Sequence, residues 1–229
     1  EIGVRLVGSE MCIRDRYWSG INQGDSLITM NVIIDYNVGN LHNLKNALDY
    51  GGIESKLVSH ADDVKKADRI LLPGVGAFAP AMDHLKQSGM LEALHEKVQS
   101  GTPMLGVCVG AQLLMDNSEE DGFHDGLGWI QGKVKRFSHE LKIPQIGWNS
   151  VTQQKKNLLF KDVSDEMHFY FVHSYHLEPE SSDQVLGITN YGYDFASVVC
   201  KDNLWGVQFH PEKSQNAGLQ LLKNFCTLT

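Results

Sequence analysis

The chain has 229 residues, 42% of them apolar, enough for one hydrophobic core, which can grow to roughly 250 residues before a domain divides. A formal net charge of -8 argues against nucleic acid or an anionic membrane as a partner, and no stretch nears the roughly 18 unbroken apolar residues of a membrane span. Four cysteines, Cys12, Cys108, Cys200 and Cys226, have neither metal-ligand spacing nor the density of a disulfide framework, so a soluble, reduced, cytoplasmic protein without metal or cofactor is expected.

The first 29 residues read differently from the rest. Arg5, Glu10, Arg14, Asp15 and Arg16 interrupt every apolar run, which excludes a signal-peptide core. Neither helical nor strand periodicity emerges there. Residues 1–29 are therefore expected to be a non-native or disordered extension, with the natural start at Met30 and one domain over residues 30–229.

From Met30 the order is strand, helix, strand, helix. "NVIIDY" is a short buried strand, and Asn40 is placed to cap a helix with Leu41, Leu44 and Leu48 on one face. Gly51-Gly52 ends it. "SKLVS" is a second strand, "ADDVKKA" a short helix, and "RILLPG" a third strand leading into the turn Gly74-Val75-Gly76. Helices are expected over Met82–Gln87 and Leu91–Gln99, then the strand "PMLGV" runs into Cys108. In the second half "WIQGKVKRF", "HFYFVHSYHLE", "QVLGITNY", "FASVVCKD" and "LWGVQFH" follow with short turns, before a last helix over Ala217–Leu228. The expected fold is α/β: a mostly parallel central sheet flanked by helices, with added antiparallel strands in the C-terminal half.

Gly106-Val107-Cys108-Val109-Gly110 has the G-x-nucleophile-x-G form of a nucleophile elbow, with cysteine in place of serine. A strand turning sharply into a helix strains its central residue, and only small flanking residues avoid a clash. The side chain then projects from the carboxyl edge of the sheet, where open α/β folds bind ligands, and the start of the amphipathic "AQLLM" helix favours thiolate. The competing reading is a buried cysteine in a core strand.

A cysteine nucleophile needs an imidazole and a group to orient it. "GVQFHPEKS" offers His210 and Glu212, two apart in extended chain and so on one side, with Pro211 restraining the link. A plain His-Pro-Glu turn is the alternative, and His173 and His176 are the rival bases. In "LLPGVGAF" the backbone N–H groups of Val75 and Gly76, with that of Val109, are candidates for an oxyanion hole.

In this order these pieces resemble the class I (triad) glutamine amidotransferases, nearest to the glutaminase subunits of imidazole glycerol phosphate synthases. The resemblance runs from Met30 to the end through "DYNVGNLHNLKNAL", "LPGVGAF", "GVCVGAQLLMDNSEE", "PQIGWN", "YFVHSYH" and "GVQFHPEKS". It implies a fold of that class and a Cys108, His210, Glu212 triad that hydrolyses glutamine through a glutamyl thioester. It implies that Gln112 and Glu120 hold the amino-acid end of glutamine, and that the backbone at Ser174 and Tyr175 receives its carboxylate. It further implies a (β/α)8-barrel cyclase as partner in a heterodimer, docked near Trp148, Tyr170 and Lys213, that uses the ammonia in histidine biosynthesis.

Ser197 stands where a small apolar residue is expected. That stretch, with "GLGWIQGKVKRF", also resembles paralogues feeding ammonia to sugar or lipopolysaccharide pathways. A free-standing γ-glutamyl cysteine hydrolase would need no partner, and a silent binding module would have lost a triad member. Gly74 and Gly76 permit a peptide flip, so the oxyanion turn is expected to form only in the loaded complex.

Overall fold

The computed structural model describes residues 29–229. The expectation for residues 1–29 lies, Thr29 aside, outside the described residues. Strand β1 (Asn31–Ile34) leads to helix α1 (Leu41–Tyr50), β2 (Ser55–Val58), the single turn α2 (Ala61–Val64) and β3 (Arg69–Gly74). Helices α3 (Phe78–Gln87) and α4 (Leu91–Gln99) follow, then β4 (Met104–Cys108) and α5 (Val109–Leu113). The second half is built of β5 (Met115–Ser118), β6 (His124–Asp125), β7 (Ile130–Arg136), β8 (Gln145–Gln153), β9 (Met167–His173) and β10 (Tyr175–Pro179). Strands β11 (Val185–Asn190), β12 (Asp194–Lys201) and β13 (Leu204–Val207) precede the closing helix α6 (Gln215–Leu228).

Strands β2, β1, β3, β4 and β13 lie side by side and parallel. Ile33, Leu71 and Leu105 on these strands are fully buried, as expected of a sheet covered on both faces. Beyond β13 the pairing turns antiparallel at β12, and the sheet divides. One arm continues through β10, β7, β5 and β6; the other runs from β12 through β11 and β8 to β9. The run "HFYFVHSYHLE" is therefore not one strand. It breaks at Ser174, leaving β9 paired with β8 while β10 pairs with β12 and β7. No helix among the described residues is long and apolar enough to cross a membrane.

Several elements depart from their sequence readings. Asn40 sits at the start of α1 but its side chain makes no capping hydrogen bond. Helix α3 starts at Phe78, four residues before the expected Met82, because Pro80 falls in the first turn, where proline needs no N–H partner. The helix after Cys108 is only five residues long, and Met115 already opens β5. Strand β8, in and after "PQIGWN", was not expected from pattern at all. Ser197, fully buried, keeps its hydroxyl satisfied: it donates to the Thr189 hydroxyl at 2.9 Å, whose own proton goes to the Ser150 carbonyl at 2.9 Å.

Candidate active site

Register explains how distant residues meet. Cys108 ends β4 directly opposite Gly74 of β3, while on its other side Val107 lies opposite Val207 of β13. The chain leaving β13 thus carries Gln208, Phe209 and His210 past the nucleophile. The turn at Cys108 is tight. Its φ of 55° and ψ of -114° lie outside the regions comfortable for an L-residue. Glycine is required beside it: a Cβ on Gly110 would fall 1.8 Å from the Leu72 carbonyl oxygen, and one on Gly106 would fall 2.7 Å from the Ala111 nitrogen. This is the elbow that the sequence spacing anticipates.

His210 is buried, and its Nδ1 donates to Glu212 Oε1 at 2.9 Å, which leaves Nε2 for the nucleophile. Burial pushes the His210 pKa down. Hydrogen bonding from Cys108 and Glu212, together with their charge, outweighs that and lifts it to about 9. The rival bases stand otherwise. His173 is buried and driven to about 3; its Nδ1 donates to the Tyr175 carbonyl at 2.8 Å, and its Nε2 lies 3.0 Å from the Gln145 side-chain amide. His176 is pulled down by burial and engaged by the Leu177 carbonyl at 3.1 Å and the Tyr193 hydroxyl at 2.9 Å.

A cavity of about 390 Å³ opens over Cys108. Val75, Gly76 and Val109 line it, as do Gln112, Glu120, Ser174, Tyr175, His210 and Lys213. Every expected catalytic, oxyanion and substrate residue is therefore at one cavity, except Glu212, which backs His210. No acceptor among the described residues takes the N–H of Val75 or Gly76, and the N–H of Val109 is free as the first of a helix. Because α5 is so short, these local N–H groups rather than a long aligned dipole supply the positive field. Gln112 spends both amide protons inward, on the Tyr175 carbonyl at 3.1 Å and Gln208 Oε1 at 3.2 Å, so its Oε1 is the atom left for a ligand. Glu120 uses Oε2 to accept the N–H of Phe78 at 2.7 Å, a capping role for α3 that sequence reading missed. Burial raises its pKa.

Trp148 and Tyr170 lie off the cavity but close together, with ring centroids 6.0 Å apart. The Lys213 ammonium sits 5.8 Å from the Tyr170 ring centroid. Trp148 is 46% exposed and its neighbour Ile146 59%, so the three expected docking residues share one partly apolar surface beside the cavity mouth. Sequence reading missed Gln208, Ser214 and Tyr36. Tyr36, fully buried, donates to the Pro73 carbonyl at 2.7 Å and so braces the oxyanion turn.

The family model for class-I glutamine amidotransferases matches residues 32–228. The chain belongs to the class I glutamine amidotransferases. It is 47% identical to the imidazole glycerol phosphate synthase subunit HisH of Chlorobaculum tepidum, over 84% of this chain and 97% of that one. It is 45% identical to the subunit of the same name from Sulfurimonas denitrificans, over 86% and 97%, and 45% identical to that of Neisseria meningitidis, over 84% and 97%. Among solved structures, the PurLQS structure from Thermotoga maritima superposes with a TM-score of 0.67 at 15% identity, covering 87% of this chain and 98% of that one. A solved glutamine amidotransferase gives 0.67 at 18% identity, covering 86% and 98%. These likenesses bear on the fold and agree with the amidotransferase architecture of one mixed sheet flanked by helices.

Proposed function

We propose that residues 30–229 form the glutaminase subunit of an imidazole glycerol phosphate synthase and pass ammonia to a cyclase subunit in histidine biosynthesis. The observation that carries the reading is Cys108, strained at φ 55°, lining a cavity beside His210, which Glu212 holds at 2.9 Å. The identity with subunits of that name supports the choice of acceptor over a sugar or lipopolysaccharide pathway.

In this reading Cys108 attacks the side-chain carboxamide carbon of glutamine as a thiolate. The carbonyl oxygen gains negative charge, for which the N–H groups of Val75 or Gly76 and of Val109 are the available donors. Collapse breaks the C–N bond, the leaving nitrogen takes the proton of His210, and ammonia departs from a glutamyl thioester. His210, now neutral, takes a proton from water, whose oxygen attacks the thioester; glutamate leaves and the Cys108–His210 pair is restored. Gln112 Oε1 and Glu120 Oε1 receive the substrate ammonium, and the backbone at Ser174 and Tyr175 its carboxylate. The partner, a (β/α)8-barrel cyclase, docks on Trp148, Tyr170 and Lys213 in a one-to-one heterodimer.

The test is ammonia release from glutamine by the full chain, alone and with a cyclase subunit plus its ribotide, with Cys108→Ala as control. Release only in the loaded complex, absent in the variant, is expected. Absence of release from the loaded complex, with Cys108 still alkylated by a glutamine-analogue electrophile, would assign the ammonia to another synthase.

A further inference from the structure

Gln208 follows β13 and precedes His210 by two residues, and it is fully buried. Its side-chain Nε2 lies 3.9 Å from Cys108 Sγ, a long hydrogen bond to a large, soft acceptor. Its Oε1 accepts from Gln112 at 3.2 Å. The direction of both bonds is fixed by a group that has no choice. The Tyr175 carbonyl can only accept, so Gln112 must turn its NH2 toward it, at 3.1 Å. The second proton of that NH2 then meets Gln208, which must answer with its oxygen. That leaves the NH2 of Gln208 facing the sulfur. A carbonyl on β10 thereby sets which end of an amide the nucleophile meets.

We propose that Gln208 is a positioning residue for the nucleophile: its NH2 holds the Cys108 thiolate toward the cavity and stabilises its charge, in an orientation imposed through Gln112 by the Tyr175 carbonyl. The proposal rests on the glutaminase reading. A merely structural glutamine would need partners for its amide but no defined end toward sulfur. The other titratable groups facing Cys108 are Tyr36 from the chain after β1 and His210 from the chain after β13. Across the cavity stand His173, Glu120 and Lys213.

The experiment follows alkylation of Cys108 by iodoacetamide against pH in the full chain, read by mass spectrometry at the Cys108 peptide. Wild type, Gln208→Met and Gln208→Glu are compared, each with a urea melt and with glutamine turnover in the presence of the cyclase subunit. Gln208→Met removes the donor at similar volume, and its midpoint is expected to rise by about one pH unit, a roughly tenfold loss of thiolate below it. Gln208→Glu, which still accepts from Gln112 but brings a negative charge, is expected to shift it further. Turnover should fall roughly tenfold in kcat with little change in KM. Unchanged midpoints in folded variants overturn the proposal. Where neither variant folds, the side-chain amide 15N resonance of Gln208 in the wild type decides: it must titrate with the alkylation midpoint, and a resonance flat across that pH range overturns the proposal as well. Normal wild-type turnover beside unchanged midpoints removes only the role of Gln208. Absent turnover and absent Cys108 alkylation remove the glutaminase reading, and this proposal with it.

Discussion

Replacing Cys108 with glycine should stabilise the fold relative to alanine, the reverse of the usual order. Cys108 has φ 55° and ψ -114°, and an L-residue with its Cβ pressed into that geometry costs about 1–2 kcal/mol. Cys108→Ala keeps that cost and Cys108→Gly removes it; both lose the sulfur, so its packing cancels in the comparison. Glycine restores about 0.4–1 kcal/mol of unfolded-chain entropy against itself. The balance favours glycine by about 1 kcal/mol, or about 2–4 °C in Tm for a domain of this size. In an ordinary strand or helix the same pair would favour alanine by about 0.5–1 kcal/mol, so the sign carries the result. Urea denaturation of the two full-length variants, followed by fluorescence and far-UV circular dichroism, measures it. Both variants should be inactive. A glycine variant less stable than the alanine variant would refute the strained elbow.

Other expectations follow from the same geometry. Gly110→Ala places a Cβ 1.8 Å from the Leu72 carbonyl oxygen, so α5 must move off β3; a loss of about 1–3 kcal/mol in urea melts and of turnover is expected, and near wild-type behaviour would contradict the packing. Glu212→Gln removes the charge that helps lift His210 to about 9; kcat should fall by roughly 10²–10⁴ with KM little changed, and the alkaline limb of the pH profile should move down. His173, with its folded pKa driven to about 3 from an ordinary 6.5, contributes stability that is present above 6.5 and lost as pH falls toward 3. His173→Gln should therefore escape about 3 kcal/mol of the loss that the wild type suffers between pH 6.5 and 4 in urea melts. Trp148→Ala should weaken binding of the cyclase subunit by about 2 kcal/mol, roughly thirtyfold by calorimetry, while leaving alkylation of Cys108 unchanged.

The parallel half of the fold was legible because its strands are short, mostly apolar and bounded by turn residues. Nothing else competes for a run such as "RILLPG". The proposed triad has a local signature for a related reason: a tight strand-to-helix turn and a His-x-Glu pair are local geometries, and a local geometry leaves its spacing in the chain. Long-range partners leave no such trace. Glu120 reads as one of an acidic pair, yet it reaches 42 residues back to the N–H of Phe78. Strand β8 escaped because its half-buried polar residues, among them Asn149 and Ser150, break the apolar alternation that strand reading depends on. The break at Ser174 was equally hidden, since no glycine or proline separates β9 from β10 in "FVHSYH" and the two differ in which neighbours they pair with. Gln208 shares the parity of His210 along the extended chain, a signal that was present but has no meaning until β13 is known to lie beside β4.

The break at Ser174 also explains why the proposed docking surface and the proposed triad sit so close together. Strand β9 belongs to the outer arm, where it presents Tyr170 next to Trp148, but its backbone is tied to the catalytic segment. The carbonyl of Tyr170 accepts the N–H of His210 at 2.9 Å, and its N–H donates to the Ser214 hydroxyl at 3.0 Å, which in turn donates to the His210 carbonyl at 2.6 Å. One residue of the partly exposed face is thus clamped on both backbone groups to the segment that carries His210. At its far end the same strand leads through His173 into Ser174 and Tyr175, where the carbonyl of Tyr175 orders Gln112. The proposed partner, seated on Trp148 and Tyr170, would therefore bear on His210 through three hydrogen bonds, one direct and two relayed by Ser214, and on Ser174 and Tyr175 through the end of β9. Fewer residues along β9 could not do both. That arrangement gives the branching of the sheet at β12 a purpose beyond closing the core: it brings one strand of the outer arm alongside both the base and the substrate segment.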